Sequence, residues 1–158
     1  RRAIDEGQRL LELCENDNLG VRYQLMHLYA YMEDEMHALA LHKQFDSYEE
    51  TQMLLPLAVL YYKLNQFDKA EDSIKRLAKV NKAAKKFLRA AARDQLYDYM
   101  DEMSPYGYQP FTMEELLDEL MKSSYLFDSV PYFFVWASKV LATKTSAKKS
   151  AGKPELLH

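Results

Sequence analysis

The sequence predicts an all-α chain whose helices come as tandem hairpins, and three observations predict it. Leu25, Tyr29 and Ala38 stand in the same relation as Leu57, Tyr61 and Ala70, four residues and then nine. A helix-turn-helix repeated in tandem is the sequence sign of a solenoid, in which each unit buries its apolar face against the next. Only four of the 158 residues are Gly and five are Pro, while 48% are apolar, a balance that favours long regular elements over turn-rich β structure. Apolar residues also recur at three- and four-residue steps along most of the chain, the period of an amphipathic helix.

The opening residues read as the second half of a hairpin. Ala3, Leu10 and Cys14 fall where Ala38, Phe45 and Glu49 fall later, and the alanine spacings are 35 and then 32. Asp17 or Asn18 can cap a second helix carrying Val21, Leu25, Leu28, Tyr29 and Met32. Glu33-Asp34-Glu35 reads as a turn plus the first turn of a third helix, where carboxylates suit the positive end of the dipole. Ala38, Leu41, His42 and Phe45 form its inner stripe. Ser47 and Glu50 have capping-box spacing ahead of a fourth helix with Leu54, Leu57, Ala58, Tyr61 and Leu64. Pro56 inside it removes one backbone hydrogen bond and predicts a kink. After an Asn65-Gln66 turn comes a fifth, with Phe67, Ala70, Ile74, Leu77 and Ala78.

The third unit is read differently. From Lys82 to Met103 an unbroken helical period predicts one long helix. Residues 104–111, with two prolines and a glycine among aromatics, predict a loop. Thr112 and Glu115 are spaced as another capping box, followed by Met113, Leu116, Leu117, Leu120 and Met121. A last helix starts near Ser129 and Pro131 and carries Phe133, Trp136, Ala137, Val140 and Leu141. From Thr143 the composition turns to Lys, Ser and Ala with Gly152 and Pro154, which predicts a disordered tail over 143–158.

Two segments carry a family resemblance. Leu54-x-x-Leu57-Ala58-x-x-Tyr61 followed by Ala70-x-x-x-Ile74 resembles a tetratricopeptide repeat, and Leu25-Met26-x-x-Tyr29 with Ala38-x-x-x-His42 is a weaker copy in which Arg22 stands where a large apolar residue is usual. Lys82 stands where the closing proline is expected. Asp17-Asn18-Leu19-Gly20-Val21-Arg22 also looks like helix openings in a poorly characterised group of bacterial repeat proteins. The resemblance covers about residues 1–95 and implies antiparallel hairpins stacked in a right-handed solenoid with a divergent C-terminal helical cap. It divides the chain into repeats over 1–103, with a half repeat at 1–16, full repeats at 18–47 and 50–81 and the long helix at 82–103. The loop at 104–111, a cap at 112–142 and the tail follow.

Several function classes are left without a carrier. A single cysteine, Cys14, excludes an intrachain disulfide and a thiolate metal site, suits a cytoplasmic location, and with Glu12 and Glu15 beside it is not activated. The most apolar stretch, Val130 to Leu141, is broken by Ser138 and Lys139, so no membrane span is expected. The chain opens Arg1-Arg2 without methionine, which reads as a fragment from which an upstream targeting segment, repeat or domain has been removed. His37 and His42 are five residues apart and point to different faces of a helix, and Glu33 with His37 has no further ligand. No phosphate loop, nucleophile elbow or paired metal motif occurs. No catalytic residue, metal or cofactor is assigned, and the chain is read as a non-enzyme.

The resemblance implies that the first helix of each hairpin lines a concave groove, which places Tyr23, Gln24, His27 and Tyr31 beside Gln52, Val59, Tyr62 and Lys63. Rings with polar tips bury large areas at low entropic cost and suit an adaptable contact. The expected function is therefore a scaffold that binds a protein or peptide segment in this groove. The second reading is self-assembly into a homo-oligomer through the aromatic final helix (Phe133, Phe134, Trp136) and an exposed terminal repeat face. Charge adds one more candidate surface. Nine cations and two acids lie between Lys69 and Arg93, then nine acids and one lysine between Asp94 and Asp128. Lys82, Lys86, Arg89 and Arg93 form a stripe suited to a charged contact; without interleaved aromatics, and beside an acidic lobe, it disfavours nucleic acid.

Overall fold

The computed structural model describes residues 1–17 and 19–151. Among these the chain is all-helical and has no strand: α1 (Arg2–Leu13), α2 (Val21–Tyr31), α3 (Glu35–Gln44), α4 (Thr51–Lys63), α5 (Phe67–Val80), α6 (Ala84–Ala92), α7 (Tyr97–Met100), α8 (Met113–Lys122), α9 (Ser124–Asp128) and α10 (Phe133–Ala151). None of the helices is long and apolar enough to cross a membrane.

The first five helices follow the expected periods. α2 packs between α1, α3 and α4, and α4 runs along α5. The turns between them use residues in the left-handed region, Glu33 (φ 58°) before α3 and Asn65 (φ 59°) before α5. Asp34 caps α3 by accepting from the His37 amide at 3.1 Å. α4 continues through the buried Pro56, because its stripe of Met53, Leu54, Leu57, Ala58 and Leu60 is fully enclosed and packing outweighs one missing hydrogen bond. Inside α1 the closest approach is at Gly7, where a Cβ would come within 2.7 Å of Leu25 Cδ2. Leu25 is itself buried and cannot retreat freely. Gly7→Val should therefore push α1 off α2 and cost about 1–3 kcal/mol, read as a lowered urea midpoint.

Both capping boxes fail in detail. α4 starts after Glu50, with Ser47 left in the loop at φ 52°. That loop is held by His42, whose Nε2 lies 3.1 Å from the Tyr48 carbonyl oxygen, and the Glu50 carboxylate is spent on α2. At α8 the Thr112 hydroxyl donates to the Gln109 carbonyl at 2.7 Å and gives no cap bond. Glu115 instead accepts from the Phe111 amide and from Thr51.

The long helix over 82–103 is not formed. α6 ends at Ala92, Asp94 takes the left-handed conformation at φ 55°, and the Gln95 amide closes on the Ala90 carbonyl at 2.8 Å. The break turns Leu96 into the core, and only the short α7 follows. The basic block up to Arg93 and the acidic block from Asp94 therefore fall on opposite sides of the break. α9 is a further helix that the periodicity did not separate from α8. α10 runs nine residues past the expected boundary at 142, to Ala151; the rest of the expected tail, 152–158, lies outside the described residues.

The C-terminal helices fold back over the first five. α8 lies on α4 and α6, α9 on α2, and α10 on α5 and α6. One residue pins the start of this return. The Asn81 side chain, completely buried, donates to Thr51 Oγ1 at 3.2 Å and to the Thr112 carbonyl at 3.1 Å, while its oxygen accepts from the Ala83 amide at 3.0 Å. It ties the beginnings of α4, α6 and α8 together where a closing proline was expected next door.

Candidate functional site

The eight residues expected to line a groove lie on α2 and α4, and the chain's own C-terminal segment meets His27, Gln52, Tyr31 and Tyr62 among them. On α2, Tyr23, His27 and Tyr31 follow one another at i, i+4 and i+8, a single stripe. His27 is buried, with Nδ1 2.6 Å from the Tyr23 carbonyl and Nε2 3.0 Å from Oε1 of Glu119 on α8. Gln52 donates to the Tyr108 hydroxyl at 3.1 Å. Val59 is fully buried. Tyr62 packs edge-on against Phe133 (5.5 Å between ring centres) and tilted against Trp136 (5.2 Å).

What remains open is the far end of the stripe. Tyr31 is 44% exposed and meets Tyr125 edge-on at 5.3 Å. Lys63 donates to the Tyr31 carbonyl at 2.6 Å and lies over the Tyr31 ring at 5.0 Å. Burial of the Lys63 ammonium lowers its pKa. Gln24 is exposed on the neighbouring row. The eight residues thus divide into a covered floor and an accessible rim of Gln24, Tyr31 and Lys63.

At the other end an ionic cluster replaces apolar packing. Asp17 accepts from the Val21 and Arg22 amides at 2.6 and 3.0 Å, capping α2 from before its first turn, and holds the Arg22 guanidinium at 3.0 Å. Arg22 also donates to Glu50 at 3.1 Å and to the Tyr23 hydroxyl at 2.6 Å, and it stacks over the Tyr23 and Phe45 rings. Tyr23 in turn donates to Glu50 at 2.7 Å. Burial, then the bond to Glu50, raises the Tyr23 pKa, so the phenol stays a proton donor. For Arg22 burial opposes the charge, but Glu50, Tyr23 and Asp17 together more than offset it and the pKa rises. The residue that departs from the repeat pattern is therefore the one that anchors α2 to the α3–α4 loop.

The His27–Glu119 contact has a definite chemistry. A carbonyl oxygen only accepts, so Nδ1 of His27 carries a proton for Tyr23, and Nε2 of a neutral ring would turn a lone pair toward Glu119. A hydrogen bond at 3.0 Å then requires one further proton on the pair. Burial pushes the Glu119 carboxyl up to about 7, against the opposing pull of His27. Its second oxygen, Oε2, is buried without a hydrogen-bond partner. From the sequence Glu119 reads as one acid of a charge block and Glu50 and Glu115 as capping-box residues, so none is marked as a partner of α2 or α4; Arg22 as a pattern departure was the one visible signal.

The remaining candidates are placed as follows. His42 is buried and held by the Tyr48 carbonyl, so it does not join His27. His37 stacks on Tyr29 and pairs with Asp34 at 2.7 Å. Among the described residues no three His, Cys, Asp or Glu side chains converge as a metal site. Phe133 is buried, and Phe134 and Trp136 are spent on ring contacts within the fold. On α1, Leu10 and Leu13 stay exposed. No family model, curated protein or solved structure matches this chain.

Proposed function

We propose that this chain is a protein-interaction scaffold of tetratricopeptide type, whose α2–α4 groove receives a helical or peptide segment. The observation that supports the reading is that the predicted groove face already accepts a helix. α8 sets Glu119 against His27 of α2 and Glu115 against Thr51 of α4, with Leu116 and Leu117 also buried. A surface that seats an amphipathic helix in cis has the shape and polarity to seat one in trans. In this reading α8–α10 fill the groove until a partner segment engages the rim of Gln24, Tyr31 and Lys63 and competes for the floor.

The experiment is affinity capture by the full chain, compared with a Tyr31→Ala/Lys63→Ala variant and with added synthetic peptide copying α8. Both rim side chains touch solvent, so the variant should keep its helicity while partner capture falls at least about tenfold. Excess α8 peptide should compete with the captured partner. Capture unaffected by either treatment would remove the groove from consideration.

A further inference from the structure

A second surface lies outside the groove, on the outer face of α6. Ala84, Phe87 and Leu88 turn one face of this helix into the core against α8 and α10. Lys82, Lys85, Lys86, Arg89 and Arg93 occupy the other, all exposed. They line one open cavity of about 500 Å³ together with Gln95 and Tyr99. The concavity is a product of the fold: the left-handed turn at Asp94 sends α7 back, so that the Tyr99 ring comes to lie 4.9 Å from Lys86 Nζ.

Four of these five cations differ from those next door. On α5, Lys75 pairs with Glu71 at 2.6 Å and Arg76 with Glu49 at 2.6 Å. Among the described residues Lys82, Lys86, Arg89 and Arg93 have no carboxylate within ion-pair distance. Cations at three- and four-residue steps repel one another along a helix, and a ligand bearing several negative charges relieves that repulsion.

We propose that this α6 cavity docks a short acidic peptide segment of a partner protein, read by Lys82, Lys86, Arg89 and Arg93. Length argues for the class. From Lys82 to Arg93 the row extends about 16 Å, which spans about five extended residues or three helical turns. Directly after Arg93 the exposed Asp94 ends the row. A nucleic-acid strand running on past Arg93 would meet this carboxylate, whereas a short acidic segment ends where the cations end. Arg89 and Arg93 add forked donors that match carboxylate oxygens. This surface is independent of the groove, so either assignment can fail without the other.

The test is fluorescence anisotropy with a labelled peptide of about eight glutamates, against a labelled oligouridylate of similar charge, at about 50 and about 200 mM salt. The peptide should bind the full chain, and lose at least about tenfold in affinity both at the higher salt and in Arg89→Glu/Arg93→Glu. A control with the same net charge, Arg9→Glu/Lys43→Glu, should bind as the parent does. No binding by the parent, equal losses in both variants, or tighter binding of the oligouridylate would overturn the proposal. So would salt-sensitive self-association that Arg89→Glu/Arg93→Glu abolishes, since the occupant would then be the acidic lobe of a second copy.

Discussion

Glu119→Gln is expected to make this protein more stable above neutral pH and to flatten the pH dependence of its stability. Glu119 is completely enclosed beneath α8 and its carboxyl is raised to about 7, first by burial and further by the charges of Glu115 and Asp118, while His27 pulls it down. A carboxyl whose folded value exceeds its unfolded value, ordinarily about 4.5, binds its proton more tightly in the fold. Its contribution is thus fully present below about pH 4.5 and is lost as pH rises through about 7. The difference corresponds to about 3 kcal/mol at most. A glutamine keeps the shape and supplies the missing proton permanently, since its amide can donate to the lone pair on His27 Nε2. Urea denaturation should find Glu119→Gln within about 1 kcal/mol of the parent at pH 5 and about 1–3 kcal/mol more stable at pH 8. His27→Ala should cost about 3–5 kcal/mol, because both carboxyl oxygens would be buried without partners. An unchanged pH slope in Glu119→Gln would show that the pair does not hold the extra proton.

That prediction concerns a contact spanning 92 residues of chain, and this separation explains what could be read in advance. Helices α2 to α5 were legible because their signals are local: an apolar step of three or four residues, and Glu33 or Asn65 where a turn needs a positive φ. The break at Asp94 was not, since Ala84 to Met103 is built of good helix formers and only the pull of Leu96 into the core interrupts it. That Tyr23, His27 and Tyr31 share one face of α2 was legible from the period. Its occupant was not, because an acidic amphipathic helix such as α8 carries no mark of which of its carboxylates will be buried. Glu114 and Asp118 differ from Glu115 and Glu119 only by their rotation about the α8 axis, and that rotation is set by what α8 packs against.

Phe133→Ala is expected to be among the most damaging single substitutions in the C-terminal half, and it asks whether α10 locks the covering helices in place. Phe133 is completely buried, with ring centres 5.5 Å from Tyr62, 6.0 Å from Trp136 and 5.6 Å from Phe134. Truncation removes the ring that joins the groove tyrosine on α4 to the first turn of α10, and an enclosed phenylalanine replaced by alanine costs about 3–5 kcal/mol. Trp136 is the only tryptophan in the chain and belongs to the same cluster, so its fluorescence reports the site directly. The variant should shift that emission to the red and speed hydrogen exchange in α10. If α8 and α10 move as one cooperative unit, exchange in α8 should quicken as well, because α10 and α8 share α6 as their support. Phe133→Leu should recover most of the loss, since it restores much of the volume without the ring. Faster exchange confined to α10 would mean that α8 holds its place through its own contacts with His27, Thr51 and Asn81, and that the two helices open one at a time.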